Sequence, residues 1–425
     1  NAKVVNLIVV PPAFTIMGAM AATVPLLKHP RARTAWFVLA ILLAFSIAAP
    51  LNQFKVSPIL PILLQAFNIT VGRSGLIMSV YAMTGLILAL PAGFILQKLG
   101  IRVTGLLAGT SIIIGAVLGA TSTGLDGLLV SRVIEGVGTS FMAVLAPTVI
   151  AIWFTANRRG TAMGIWSSWV PIGVTGMMVV APILAQGGNW QIVWWFGAAY
   201  AFVTLALFLF IARNPPVRVL PITPQTVSVP PQTRPPVNVL SLLRKPNVWL
   251  IGLAFGCFVM SSSSISGFMP TYLNTVFGLP LSQAALIPSI NSIITIFSCP
   301  VGGMISDRLG TRRKLFVPGI LIVAILIPLM GISSLPMLVV LIVMQGIVTG
   351  LVPTNIFSAG VEAAGDDRLS GMAMGVIMVG QNAGSLLGPL LFSGLVESAS
   401  WPIAFGSLGI VCVAGAAAGW LSKAR

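Results

Sequence analysis

Apolar residues run through this chain in blocks much longer than one face of a surface helix requires, and the few charged residues fall between the blocks. A helix that is apolar all round is buried among other helices or in lipid. Spanning a bilayer takes roughly 20 mostly apolar residues, because the hydrocarbon core is about 30 Å thick and each helical residue rises about 1.5 Å. Measured this way, the charge-free stretches predict spans at 4–27, 35–64, 74–97, 103–124, 127–155, 161–185 and 190–212, then at 248–275, 282–306, 315–333, 336–361, 369–396 and 400–422.

Composition agrees with that pattern. Of 425 residues, 57% are hydrophobic and 7% charged, with a mean hydropathy of +1.03, which excludes an ordinary water-soluble globule. The formal net charge of +16 would suggest a nucleic-acid partner in a soluble protein. Here its placement suggests a lipid bilayer instead. If Lys28 to Arg33 lie in the cytoplasm, alternation of the spans puts 19 of the 23 basic residues on that side, leaving Lys3 and Arg73 outside and Lys55 and Arg132 within spans. Such a bias orients the chain in a plasma (inner) membrane with its linker and C-terminus cytoplasmic. Segment 4–27 is expected to be an extra span with its N-terminus outside, or else a helix lying at the interface. Cys257, Cys299 and Cys412 occupy different apolar spans and His29 lies in a basic loop, so neither a metal site, a cofactor nor histidine-based catalysis is expected.

Residues 213–246 include "NPPVRVLPITPQTVSVPPQTRPPVNV", too rich in proline for a helix and too polar for a span. This linker separates six spans at 34–212 from six at 247–425, with residues 1–33 preceding both. The halves repeat at an offset of 210 residues: "FNITVGRSGLI" from Phe67 matches "FGLPLSQAALI" from Phe277, and "GFILQKLGIRV" from Gly93 matches "GMISDRLGTRR" from Gly303. Parallel six-helix repeats place a solute site at their interface, near mid-membrane.

Several motifs resemble those of the major facilitator superfamily. The loop signature G-x-x-x-D-R-x-G-x-R-R/K is complete at Gly303, Asp307, Arg308, Gly310, Arg312 and Arg313. In the first half it is degraded to Gly93, Lys98, Gly100 and Arg102, with Gln97 at the acidic position. The fourth-span motif R-x-x-x-G-x-G is present as Arg132, Gly136 and Gly138. The resemblance implies an all-α membrane protein with a twelve-helix fold of two six-helix pseudo-repeats, plus the extra N-terminal helix. It also implies that the first and fourth helices of each half line a central cavity, and that the loop residues form a conformational latch.

Three charged residues lie within spans: Lys55, Arg132 and Glu135. A charge at the centre of a spanning helix costs roughly 2.5–3.5 kcal/mol, so it faces a cavity or a partner. Lys55 and Arg132, the latter about 9 Å inward from Asp126 at helical rise, reach a similar depth, and two cations there can converge on one anion. Otherwise Lys55 snorkels outward from a helix loosened by Pro58 and Pro61, and Arg132 with Glu135 is a neutralising pair. A functional role for Glu135 is proton carrier.

The second half has no charge at the matching positions: Lys55 aligns with Ile265, Arg132 with Ile342 and Glu135 with Gln345. Its contribution must be neutral, from Ser261 to Ser264, Tyr272, Asn274, Gln345, Thr349 and Asn355, with Asn52 beside Lys55 in the first half. Polar residues in spans also serve as glue between helices. The expectation is a monomeric secondary transporter that moves a small anion, such as a monocarboxylate, coupled to protons. The first span also loosely resembles cyanate-permease-like members. Against the family's organic-anion symporters, Thr139 stands where a carboxylate is usual. The alternatives are a proton-driven multidrug efflux antiporter, for which an acid rather than Lys55 is expected in the first span, and a non-transporting membrane sensor or scaffold. An enzyme is not expected.

Overall fold

The computed structural model describes residues 32–89, 91–154, 156–211, 245–309, 311–364 and 370–422. The segment 4–27 and the proline-rich part of the linker lie outside these. Among the described residues, twelve helical spans are long and apolar enough to cross a bilayer, from Arg33–Ala66 to Trp401–Leu421. Helices meet the demand lipid makes, that backbone N–H and C=O groups be satisfied within the segment.

The first span is broken into α1 (Ala32–Phe54), a 3-10 turn (Ser57–Ile59) and α2 (Leu60–Ala66). Pro58 accounts for the break, since it lacks the N–H that would continue the ladder and its ring crowds the preceding turn. Next come α3 (Val71–Leu88), α4 (Pro91–Thr121), α5 (Leu125–Trp153), α6 (Ala156–Trp166), α7 (Trp169–Leu184) and α8 (Gln191–Ile211). Between the second and third spans, Gly100 turns the chain at φ 75°, a conformation suited to glycine. The second half contains α9 (Pro246–Phe277), α10 (Leu281–Leu309), α11 (Arg313–Met330), α12 (Leu335–Thr349), α13 (Leu351–Ala364), α14 (Ser370–Ser398) and α15 (Trp401–Leu421).

Consecutive spans run antiparallel, giving the bundle a basic end, with Lys98, Arg102 and Arg312 to Lys314, and a far end, where the chain turns at Phe67–Thr70 and Gly278–Pro280. The halves are joined toward the far end. One apolar core crosses between them, and its first-half members, among them Val56, Leu60, Ile77, Met177 and Trp194, belong to the far-end part of that bundle. By contrast, the cluster of Ala35, Leu39, Phe45, Leu96, Phe154 and Trp166, which reaches the basic end, stays within the first half.

Close approach at the far end depends on small residues of α3. Ser393 on α14 donates to the Gly72 carbonyl at 2.9 Å, and a Cβ on Gly75 would meet the Pro389 carbonyl at 2.7 Å. Small residues at such crossings let helix backbones touch in lipid.

Candidate functional site

Lys55 immediately follows the end of α1, and its side chain is fully buried. Its ammonium lies 2.5 Å from Glu135 Oε1 and donates to Asn52 Oδ1 at 2.9 Å. The Trp194 ring centroid is 4.5 Å away, close enough for a cation–π contact. Asn52 is itself fixed, donating to the Ala48 carbonyl at 2.9 Å and the Gly197 carbonyl at 3.4 Å. Neither outward snorkelling nor open exposure to a cavity describes this lysine here.

Arg132 and Glu135 project from α5 and are likewise fully buried. Arg132 Nη1 lies 2.6 Å from Glu135 Oε2, so the carboxylate is shared between two cations, one on each oxygen. The rest of the guanidinium fork goes to backbone: to the Asn52 carbonyl at 2.6 Å, the Gln53 carbonyl at 2.7 Å and the Ile77 carbonyl at 3.2 Å. A helix leaves the carbonyls of its last turn without intrahelical partners, and in lipid no water replaces them. Arg132 therefore caps the broken end of α1, a task for which a rigid fork of five donors is suited. Tyr81 supports the fork with its ring, 4.4 Å from the guanidinium carbon, while its hydroxyl contacts Thr139 and donates to the Ala49 carbonyl at 3.0 Å.

Glycines explain how a charged cluster fits between packed helices. A Cβ on Gly115 of α4 would lie 2.6 Å from Glu135 Cγ, and one on Gly119 would lie 2.4 Å from the Trp194 indole. In the fourth-span motif, Cβ atoms on Gly136 and Gly138 would each lie 2.4 Å from a carbonyl, of Tyr81 and Ala108 respectively. The motif thus combines a cap for the first span with two close crossings.

A small cavity lies between the halves. Gln53, Phe54, Ser57 and Met78 line it from the first half; Ser263, Gly267, Ser385 and Pro389 line it from the second. None of these carries a charge. Lys55 follows Phe54 in the chain and Arg132 bonds the Gln53 carbonyl, so the two cations and one carboxylate back this part of the wall with an excess of one positive charge.

Other expected site residues are placed elsewhere. Tyr272 lies in an aromatic cluster with Phe277, Trp401 and Phe405, its hydroxyl 3.4 Å from the Met330 carbonyl. Asn274 donates to the Leu279 carbonyl at 2.8 Å, holding the turn after α9. Gln345 is buried on α12, and Asn355 donates to the Leu351 carbonyl at 2.6 Å with its Oδ1 left open among the described residues. Ser261 bonds the Leu408 carbonyl at 3.2 Å, joining α9 to α15.

In the basic-end motifs, Gly93 is half-buried and Arg102 is exposed on α4. Arg312 pairs with Glu362 at 3.1 Å. Arg313 donates to the Ser422 carbonyl at 2.9 Å and so caps the last helix. The side chains of Gln97, Asp307 and Arg308, and the surroundings of Gly303, lie outside the described residues.

The sequence reading missed Gln53, Ser57, Tyr81 and Trp194. Trp190 and Trp194 are buried, whereas Trp195 is exposed.

Twelve spans in two repeated halves around a central cavity, with the charged residues of one half gathered beside it, define a polytopic membrane transporter rather than an enzyme. Residues 37–369 and 300–425 match the model of the Major Facilitator Superfamily, and the chain belongs to that family. It is 30% identical over 204 residues to the "Probable nitrate/nitrite antiporter NarK1" of Thermus thermophilus, covering 44% of this chain and 42% of that protein. Over 386 residues it is 21% identical to the "Probable sulfoacetate transporter SauU" of Cupriavidus necator, covering 86% of this chain and 88% of that protein. Among solved structures, a bacterial homolog of the human lysosomal transporter Spinster, inward-facing and occupied, matches with a TM-score of 0.74 at 15% identity, covering 91% of this chain and 96% of that one. A D-xylose-proton symporter matches with a TM-score of 0.72 at 16% identity, covering 92% and 99%.

Proposed function

We propose that this protein is a secondary active transporter of a small anion, such as a monocarboxylate or a similar organic or inorganic oxyanion, working by alternating access and coupled to protons. The observation that carries this is the net positive charge of the buried Lys55–Glu135–Arg132 cluster behind an otherwise uncharged cavity wall. In a low-dielectric surround such a charge favours an anion in the cavity and disfavours a cation. Two similar proteins named for nitrate/nitrite and sulfoacetate support the same class. A multidrug antiporter is less well supported, because an excess positive charge opposes cationic drugs.

With the basic end in the cytoplasm, the joined far end is the outer one, and the described state faces inward. Lys55 and Arg132 act mainly as a fixed field, while Gln53, Ser57, Ser263 and Ser385 supply direct hydrogen bonds to the solute. Glu135 is the proton-coupling residue: protonation there removes the carboxylate that holds Lys55 and frees the ammonium toward the cavity. Arg312 and the other basic-end motif residues serve as the latch of the opposite state.

Thermal-shift measurements on the purified protein with sodium nitrate, formate and lactate test the class. At least one anion should raise the unfolding midpoint of wild type, and Lys55→Ala should blunt that rise. Equal responses in the two proteins, or none in wild type, would sink the proposal.

A further inference from the structure

Ser57 lies two residues beyond Lys55, in the 3-10 turn that interrupts the first span, and is essentially buried. Its hydroxyl does not bond its own helix. Instead it donates across the interface between the halves, 2.7 Å from the Ser266 carbonyl and 2.8 Å from the Gly267 carbonyl of α9. One proton shared between two acceptors is a three-centre bond. Ser57 and Gly267 are 210 positions apart, which is the offset of the internal repeat. They are therefore equivalent residues of the two halves in contact, and equivalent residues that touch lie at the axis relating the repeats.

Ser57 and Gly267 also both line the cavity. Met78, another lining residue, closes against Gly267, where a Cβ would meet its sulfur at 2.7 Å. The cavity's ceiling and the central seam between the halves are thus made by the same residues. The two partners are not alike in backbone: Gly267 belongs to the uninterrupted helix α9, whereas Ser57 is on a short turn between two breaks. Arg132 anchors the end of α1 just before this turn through the Asn52 and Gln53 carbonyls.

We infer that Ser57 is the residue that couples solute binding to opening of the far end: a hydrogen-bond-accepting solute in the cavity takes the Ser57 hydroxyl from the Ser266 and Gly267 carbonyls and so releases the central seam. This rests on the anion proposal above and gives it a selection rule. A solute that only donates hydrogen bonds offers the hydroxyl no replacement acceptor and leaves the seam closed. An anion presents acceptors and is drawn to the same place by the cluster.

The test uses spin labels at Arg73→Cys on α3 and Ser398→Cys on α14, both exposed at the far end, in a background lacking Cys257, Cys299 and Cys412. Distance distributions are recorded without solute and with sodium nitrate, formate or lactate. Ser57→Ala should raise the ratio of open to closed far ends about threefold to tenfold without solute, the range expected for one net hydrogen bond. It should also abolish the opening that anion produces in wild type, while Ser57→Thr, which keeps the hydroxyl, should restore both behaviours. A Ser57→Ala protein as closed as wild type would overturn the inference, and so would one that still opens further with anion. If Ser57→Ala opens but no anion shifts wild type, the seam role of Ser57 stands and the anion class is what fails.

Discussion

The Lys55 ammonium and the Glu135 carboxylate, eighty residues apart in the chain, meet at 2.5 Å in a fully buried contact. Arg132 holds the other carboxylate oxygen, so Glu135 is the one anion between two cations. Removing members of this set should have unequal costs. Glu135→Gln leaves two buried cations without a counter-charge and is expected to cost about 3–5 kcal/mol. Lys55→Ala leaves a matched Arg132–Glu135 pair and is expected to cost about 1–2 kcal/mol. Chemical unfolding in a lipid-like micelle checks the order, and a larger loss for Lys55→Ala than for Glu135→Gln would contradict it.

Arg132→Lys keeps the charge but removes the fork. A lysine can follow Glu135 or the α1 carbonyls but cannot hold Asn52, Gln53 and Ile77 together. The expected loss is about 2–4 kcal/mol, from one or two charge-assisted bonds left unmade. Amide exchange should rise selectively at the end of α1. Wild-type protection there in Arg132→Lys would show that the cap does not need the fork.

Most of the fold could be read from the sequence, because lipid imposes it: the twelve apolar runs that follow residue 33, one proline-rich interruption and a 210-residue repeat leave few arrangements open. Lys55, Arg132 and Glu135 were conspicuous for the same reason. Their mutual geometry was not, since which residue faces Lys55 depends on how α1, α5 and α8 cross, and local periodicity carries no such information. Tyr81 escaped notice because aromatic residues in spans are ordinary. Ser57 left one trace: Pro58 and Pro61 follow it, whereas the matching stretch of the other half carries the single Pro270 and stays helical.

Gly115→Val tests whether the cluster depends on the α4–α5 crossing. The added side chain enters the space of Glu135 Cγ and the Ser131 carbonyl. Overpacking of this kind typically costs about 1–3 kcal/mol. The same substitution at Gly164, where nothing lies within 4 Å of a Cβ, should be nearly silent, and equal losses at the two sites would refute the packing account.

Pro58→Ala restores an N–H donor at the break in the first span. Stability is expected to hold or rise by up to about 3 kcal/mol, the usual penalty of proline in a helix interior. Transport should slow about tenfold, corresponding to about 1.4 kcal/mol of added barrier, if the turn carrying Ser57 must move. Unimpaired transport by a more stable Pro58→Ala protein would remove the turn from the transport cycle.

The central claim is that the excess positive charge beside the cavity selects an anion. At a separation on the order of 8 Å and an effective dielectric of about 20, one unit charge is worth about 2 kcal/mol, or roughly thirtyfold in affinity. The direct measurement is uptake of labelled nitrate, formate and lactate into proteoliposomes under an imposed proton gradient, with KM compared among wild type, Lys55→Arg and Lys55→Ala. Saturable uptake of at least one anion is expected in wild type, with a KM near the wild-type value in Lys55→Arg and one higher by about ten- to thirtyfold in Lys55→Ala. Uptake of none of the anions, or a KM indifferent to the charge at Lys55, would contradict the claim.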